Sequence, residues 1–132
     1  MDGVTDLKAA RVTTKTSGDA AEALALAHLL AHGLALVRRN YRVAHGPRAR
    51  GGEIDLILRE RDGTLVFVEV RTRQTNTHGG AAASVGPTKQ RSLILAAQHF
   101  LLTLRVVPPC RFDVVAIDGV RIEWLRAAFD TS

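Results

Sequence analysis

The sequence has little cysteine, few aromatic residues and no long apolar run, and each shortage excludes a class of protein. Cys110 is the only cysteine among 132 residues, so the chain can form neither an internal disulfide nor a cysteine-rich zinc site. Aromatic residues make up 5% of the chain, which argues against base stacking as the main way of holding a nucleic acid. No stretch has the pattern of a signal peptide or a membrane span, so we expect a cytoplasmic protein with no membrane partner.

The residues that are present have the balance of one globular domain. Hydrophobic residues account for 46% and charged residues for 23%, which is typical of a chain that folds by itself. Residues 1–16 are polar and are expected to be flexible, whereas residues 17–132 are expected to form a single domain. The net charge of +5 suggests an anionic partner, with nucleic acid as the first candidate.

The order of helical and strand patterns predicts an α/β (α+β) fold of the order αβββαββ. The first helix is predicted over residues 18–32, which are rich in Ala and Leu, and the second begins near Pro87. Strands are predicted over residues 34–43, 53–60, 64–71, 111–117 and 120–124. Because the third strand is apolar on both faces, it should lie centrally in a mixed sheet of about five strands flanked by helices.

Two acidic residues fall on neighbouring predicted strands. A short turn makes the second and third strands antiparallel neighbours, so Asp55 and Glu69 can lie on one face, with Arg71 on the same side. The opposite face of the second strand is predicted to carry Ile54, Leu56 and Leu58. Two carboxylates and a cation suit magnesium-dependent phosphodiester hydrolysis, but on spacing alone an ion-pair cluster with Arg71 and Arg73 is the simpler interpretation.

The order and intervals of several short motifs resemble one family. These motifs are Glu22, GEID at 52–55 and FVEVRTR at 67–73, joined by Gly33, RNYR at 39–42, Lys89 and RFDVV at 111–115. Together they resemble the YraN-like family of uncharacterised bacterial proteins in the PD-(D/E)XK nuclease superfamily. The resemblance implies a restriction-endonuclease-like core, Mg²⁺ or Mn²⁺ as cofactor, and DNA as partner. It is closest to Holliday junction resolvases, which cut branched DNA and imply, by analogy, a homodimer.

The resemblance also implies a role for each site residue. Asp55 and Glu69 would bind the metal together with the backbone carbonyl oxygen of Val70, and Glu22 would reach the site directly or through water. Arg71 stands where the superfamily usually has lysine; arginine can hold a phosphate but does not give up a proton at ordinary pH. The implied catalytic set is Asp55, Glu69, Arg71 and Glu22. The implied nucleic-acid-binding set is Arg48, Arg50, Arg71, Arg73, Lys89 and Arg91.

Three functions therefore stay open at the level of sequence. The first is a metal-dependent DNA endonuclease, which the acids at positions 22, 55 and 69 favour. The second is a non-catalytic nucleic-acid-binding module with a nuclease fold, which Arg71 favours. The third is a protein-interaction role in which the acids are only structural.

Two further features have simpler interpretations. His28 and His32 have a helical spacing that can bind zinc, but Leu29 stands where a zinc-protease motif has glutamate and no third ligand is evident. We therefore predict a structural histidine pair. Cys110 lacks a partner by motif and is predicted to be a small buried residue.

Overall fold

The computed structural model describes residues 14–44, 51–72 and 85–130, which contain two helices and five strands. The helices are α1 (Thr14–Ala31) and α2 (Pro87–Leu101). The strands are β1 (Ala35–Val43), β2 (Gly52–Arg59), β3 (Leu65–Thr72), β4 (Cys110–Asp118) and β5 (Arg121–Phe129). The predicted α/β class and the order αβββαββ are confirmed.

The five strands lie side by side in chain order, with β3 in the centre. All neighbouring pairs are antiparallel except β3 and β4, which are parallel from Leu65↔Cys110 to Thr72↔Ile117. A parallel pair needs a crossover connection, and α2 lies in that connection between β3 and β4. The sheet is therefore mixed, as predicted.

Helix α1 begins earlier than the sequence pattern indicated. It starts at Thr14 rather than at residue 18, and residues 1–13 lie outside the described part. Its end agrees with the prediction, because Gly33 adopts φ 94° and its N–H donates to the carbonyl of Leu30 at 3.0 Å. Neither described helix is long and apolar enough to cross a membrane.

Apolar side chains pack on both faces of the sheet, and β3 contributes to both packed layers. On one face Val66 and Val68 pack with Ala25 and Leu29 of α1. On the other face Leu65 and Phe67 pack with Leu93, Ala97 and Phe100 of α2. Each large side chain buried in this way stabilises the fold by about 1.5–3 kcal/mol. The predicted central, doubly covered position of the third strand is confirmed.

Strand β2 departs from regular alternation at Asp55. Ile54 packs in the α2-side layer, whereas Leu56 and Leu58 pack in the α1-side layer, so the prediction that the three share a face is wrong for Ile54. The described backbone pairing of β2 with β3 reaches only to Leu56↔Val68. At the next position the carboxylate of Asp55, instead of a strand carbonyl, accepts a hydrogen bond from β3. The strand can therefore turn between Ile54 and Leu56.

Candidate functional site

The candidate site lies where β3 separates from β2, and Glu69 is at its centre. The Glu69 side chain is only 4% exposed, although it projects from a strand of apolar residues. Its Oε2 lies 3.3 Å from Nε of Arg71, and its Oε1 lies 3.6 Å from Nζ of Lys89. The ion pair with Arg71 that the sequence suggested is therefore present, and Arg73 lies outside the described residues.

Asp55 faces the same point from β2. Its Oδ2 accepts a hydrogen bond of 2.8 Å from the backbone N–H of Val70, the residue after Glu69. The backbone pairing of β2 with β3 ends at Leu56↔Val68, and beyond that pair this side-chain bond joins the two strands. It holds the Asp55 carboxyl near the end of β3. The charge of Asp55 also acts on the Glu69 carboxyl and raises its pKa. The two acids thus meet, as their strand positions predicted.

The pKa of Glu69 is raised, because the two neighbouring cations offset only part of the cost of burying its negative charge. Desolvation, followed by the nearby Asp55, raises the pKa of Glu69 from 4.5 to about 8, and Lys89 and Arg71 lower it only in part. Without a further positive charge, Glu69 therefore holds a proton at neutral pH. A divalent cation would favour the ionised form, because metal binding to a carboxylate displaces the proton.

A second buried acid, Asp113, shows what a purely structural carboxylate looks like in this fold. Asp113 is 1% exposed, and its two oxygens accept hydrogen bonds from Nε of Arg111, from Nε1 of Trp124 and from the N–H of Ala127, at 2.9–3.2 Å. Ala127 has φ 50°, so Asp113 holds an irregular position in β5. This network gives Arg111 and Asp113 of the RFDVV segment a structural role.

Glu69, in contrast to Asp113, does not have hydrogen bonds to both of its carboxylate oxygens. Its Oε1 is buried and has no hydrogen-bond partner within the described residues, and the same is true of Oε1 of Glu22. The 3.6 Å separation from Lys89 is too long for a hydrogen bond. An unsatisfied buried acceptor costs about 1–3 kcal/mol, and more when it is charged. Carboxylate oxygens are the ligands that Mg²⁺ and Mn²⁺ prefer, so these atoms fit a hard cation.

Glu22 approaches the pair from α1. Burial, followed by the charges of Asp55 and Asp19, raises the pKa of Glu22, and Arg39 partly opposes this effect. In the part of the chain that the structure describes, no three His, Cys, Asp or Glu side chains converge closely enough to hold one ion. The charge of Asp55 acts on Glu69 and on Glu22, so Asp55 lies within electrostatic range of both.

Arg39, which begins the RNYR motif, is a further cation near the site and acts on Glu22. It pairs with Leu56 across β1 and β2, one position from Asp55. The RNYR motif was a signal for it, but its register depends on a β-bulge between Leu36 and Arg38 that spacing does not reveal.

The position of Lys89 depends on a close contact between α2 and β2. A Cβ atom added to Gly52 would lie 2.6 Å from the carbonyl oxygen of Ser92 and 2.8 Å from the N of Ala96. Only glycine allows the helix to approach this closely. Ser92 follows Lys89 by nearly one helical turn, so this contact places the first turn of α2, which contains no acidic residue, beside Glu69.

Of the other predicted nucleic-acid-binding residues, the structure describes Arg91. Arg91 is exposed, donates a hydrogen bond of 3.3 Å to Oγ1 of Thr88, and lines a cavity of about 610 Å³ together with Lys89. Arg48, Arg50 and Arg73 lie outside the described residues. The structure thus brings Lys89 and Arg71 to the acids and places Arg91 next to Lys89.

The histidine pair and the cysteine lie away from the paired acids. The rings of His28 and His32 are 4.4 Å apart and pack edge-on to Trp124 at 6.1 and 5.5 Å, which is the structural arrangement that we predicted. Cys110 is exposed, so the prediction of a buried cysteine is wrong. It begins β4 at the end of the sheet, and its thiol donates to the carbonyl of Pro108 at 3.2 Å.

Comparison with known proteins identifies relatives across most of the chain. Residues 21–117 match the family model described as uncharacterised protein family UPF0102. The chain is 67% identical over 121 residues to a UPF0102 protein of Methylibium petroleiphilum, covering 92% of this chain and 99% of that protein. It is 61% identical over 120 residues to a UPF0102 protein of an Acidovorax species, covering 91% and 89% of the two chains. None of these names states an activity.

Proposed function

Because the chain belongs to the UPF0102 family, whose description names no activity, we propose its function from the site: a metal-dependent endonuclease of the PD-(D/E)XK type. One observation carries the proposal. Of the two buried acids among the described residues, Asp113 has its hydrogen bonds filled, whereas one oxygen of Glu69 accepts no hydrogen bond and the Asp55 carboxyl is nearby. A structural role explains the first arrangement and leaves the second unexplained.

The residues at the site fit a hard divalent cation. Asp55 and Glu69 would hold Mg²⁺ or Mn²⁺, with the carbonyl oxygen of Val70 as a further ligand and Glu22 acting through water. When bound, such an ion supplies charge stabilisation at a phosphate and a lower pKa for a coordinated water. Burial raises the pKa of Glu22, which makes its carboxylate a stronger proton acceptor than an exposed one.

The cations of the site would hold the substrate. Arg71 offers a planar guanidinium that can donate two hydrogen bonds to a phosphate, and Lys89 offers a compact ammonium from the start of α2. Both lie within 3.6 Å of Glu69, so a phosphate that they contact would be next to the metal ligands. Their positive charge would stabilise the charge that develops on the phosphate during hydrolysis.

The proposed substrate is DNA, with branched DNA first by resemblance, and the proposed compartment is the cytoplasm. Arg91 beside Lys89 extends the positive surface away from the site, and Arg48, Arg50 and Arg73 are proposed to add to it. Binding through such residues would weaken steeply as the salt concentration rises. A homodimer would give the two active sites that cutting both strands of a junction requires.

The test is cleavage of labelled four-way junctions, flaps and single strands in Mg²⁺, Mn²⁺ or EDTA. We expect metal-dependent cutting that falls by on the order of 100-fold or more in Asp55→Asn and in Glu69→Gln, since even indirect metal contacts contribute 10–100-fold. Asp62→Asn is the matched control, because it makes the same chemical change in the turn at the far end of β2. Cutting that survives in Asp55→Asn would come from a contaminant and would refute the proposal.

A non-catalytic nucleic-acid-binding module is the second candidate, and the position of Arg71 favours it. Its guanidinium lies 3.3 Å from the Glu69 oxygen, and unlike lysine it stays charged. If Arg71→Lys creates activity that the natural protein lacks, the natural chain is a binder. Unchanged activity in Arg71→Lys would remove the support for this candidate.

A further inference from the structure

The end of the sheet opposite the paired acids exposes a strongly apolar loop. Residues 102–109 join α2 to β4, and within this loop Leu102 is 84% exposed, Val106 79% and Val107 61%. Single exposed apolar residues are common, but three within one loop of this length are unusual, and exposed apolar surface can mark an interaction site. The core of the fold offers no reason for their exposure.

Two hollows adjoin the loop. A groove of about 350 Å³ lies between the loop and the turn that joins β2 to β3, and Leu104, Val106 and Pro108 line its loop side. A second, largely apolar cavity of about 410 Å³ is lined in part by Phe112 and Phe129. Residues 101 and 110, which flank the loop, both line that cavity, so the loop connects the two hollows. Both are large enough to accept side chains of a partner.

The groove has an excess of positive charge. Arg59 and Arg105 line it together with a single acid, Asp62. The Asp62 carboxylate accepts a hydrogen bond of 3.0 Å from the N–H of Thr64, and its single negative charge is outnumbered by the two arginines. Arg61, in the same turn, is exposed. A ligand of this groove would therefore gain from carrying carboxylates.

We propose that this surface, defined by Leu102, Val106, Val107, Arg59 and Arg105, docks a peptide segment of a partner protein that carries acidic residues next to apolar or aromatic ones. The apolar side chains enter the two hollows and the carboxylates meet the arginines. The concave shape fits a narrow segment better than a flat lipid surface. Arg59 is four residues from Asp55, about 13 Å along β2, so a docked segment would leave the paired acids accessible. The proposal does not depend on nuclease activity.

Selection from a phage-displayed library of random peptides on the immobilised full chain tests this inference. We expect enriched peptides to combine Asp or Glu with large apolar residues, and to bind less tightly as salt is raised. A synthetic copy of an enriched peptide, measured by fluorescence anisotropy, should lose about tenfold in affinity for Val106→Ser and at least as much for Arg105→Glu. Val120→Ser is the matched control, since Val120 is 95% exposed in the turn between β4 and β5.

Three results would overturn the proposal. The first is an absence of enriched peptides, or enrichment of peptides without acidic residues. The second is equal affinity of the enriched peptide for Val106→Ser and Val120→Ser. The third is a different occupant: a dimer in sedimentation velocity that only Val106→Ser dissociates would assign the surface to a second copy. Co-sedimentation with phosphatidylglycerol vesicles that Val106→Ser alone abolishes would assign it to a membrane surface.

Discussion

Glu69→Gln should make the metal-free protein more stable at neutral pH, although it removes a proposed metal ligand. Burial raises the pKa of Glu69 from 4.5 to about 8, so the folded chain holds this proton more tightly than the unfolded chain. The unfolded state therefore binds fewer protons between these values, and the free energy of unfolding falls as pH rises through the interval. Glutamine has nearly the same shape and no charge, so it avoids this loss.

The expected gain in the free energy of unfolding follows from the two pKa values of Glu69, 4.5 unfolded and about 8 folded. At pH 7 the unfolded chain has released the proton and the folded chain has largely kept it. The distance from 4.5 to pH 7, at about 1.4 kcal/mol per pH unit, corresponds to about 3 kcal/mol. The ion pairs of Glu69 with Arg71 and Lys89 are already included, because both cations contribute to the pKa. For a chain of 132 residues the gain corresponds to a rise in Tm on the order of 10 °C.

The assay is urea unfolding followed by circular dichroism, in EDTA, at several pH values from 4.5 to 8. The stability of Glu69→Gln minus that of the natural chain should be near zero at the lowest pH and about 3 kcal/mol at pH 7. Asp62→Asn controls for loss of an exposed acid and should show no such rise. A difference that does not grow with pH, or a variant less stable than the natural chain at pH 8, would refute the argument that the buried charge is uncompensated.

Three other predictions follow from the same structure. Adding Mg²⁺ at about 100 times its Kd should stabilise the natural chain by about 2–3 kcal/mol in thermal denaturation and should leave Asp55→Asn unchanged; an equal shift in both would place the ion elsewhere. Asp113→Ala should cost about 3–5 kcal/mol in urea unfolding, because it removes one of the two carboxylates that pair with the partly buried Arg111 and the acceptor for Trp124 and Ala127, and a loss below 1 kcal/mol would contradict this. Gly52→Ala should cost about 1–3 kcal/mol by forcing α2 away from β2, and should also weaken any cleavage; full stability would mean that the contact relaxes freely.

The sequence predicts the architecture well because hydrophobic pattern and burial coincide in the centre of the sheet. Strand β3 is apolar on both faces, and it lies between two helices as that pattern requires. The orientation of Ile54 could not be predicted, because it depends on a side chain, Asp55, replacing a backbone hydrogen-bond acceptor. A rule of strict alternation assumes a regular ladder and fails where the ladder is interrupted.

The candidate site was only partly predictable for a related reason. Glu69 and Asp113 look alike in the sequence, since each is a single acid within an apolar strand. They differ in their partners: Asp113 receives hydrogen bonds from Trp124 and Ala127 on the next strand, whereas one oxygen of Glu69 receives none from the described residues. Whether a buried acid is satisfied is a property of tertiary structure. Spacing shows only that the acid is present.

The parallel pairing of β3 with β4 has a consequence for how the molecule assembles. Strands β2 and β3 are joined by a short turn, so the hairpin that brings Asp55 near Glu69 has low contact order and can form early in folding. Strand β4 can join only after the chain has passed through α2, the helix that carries Lys89. We therefore expect the two acids to meet before the lysine arrives, so the hairpin must bring the two carboxyl groups together without that cation.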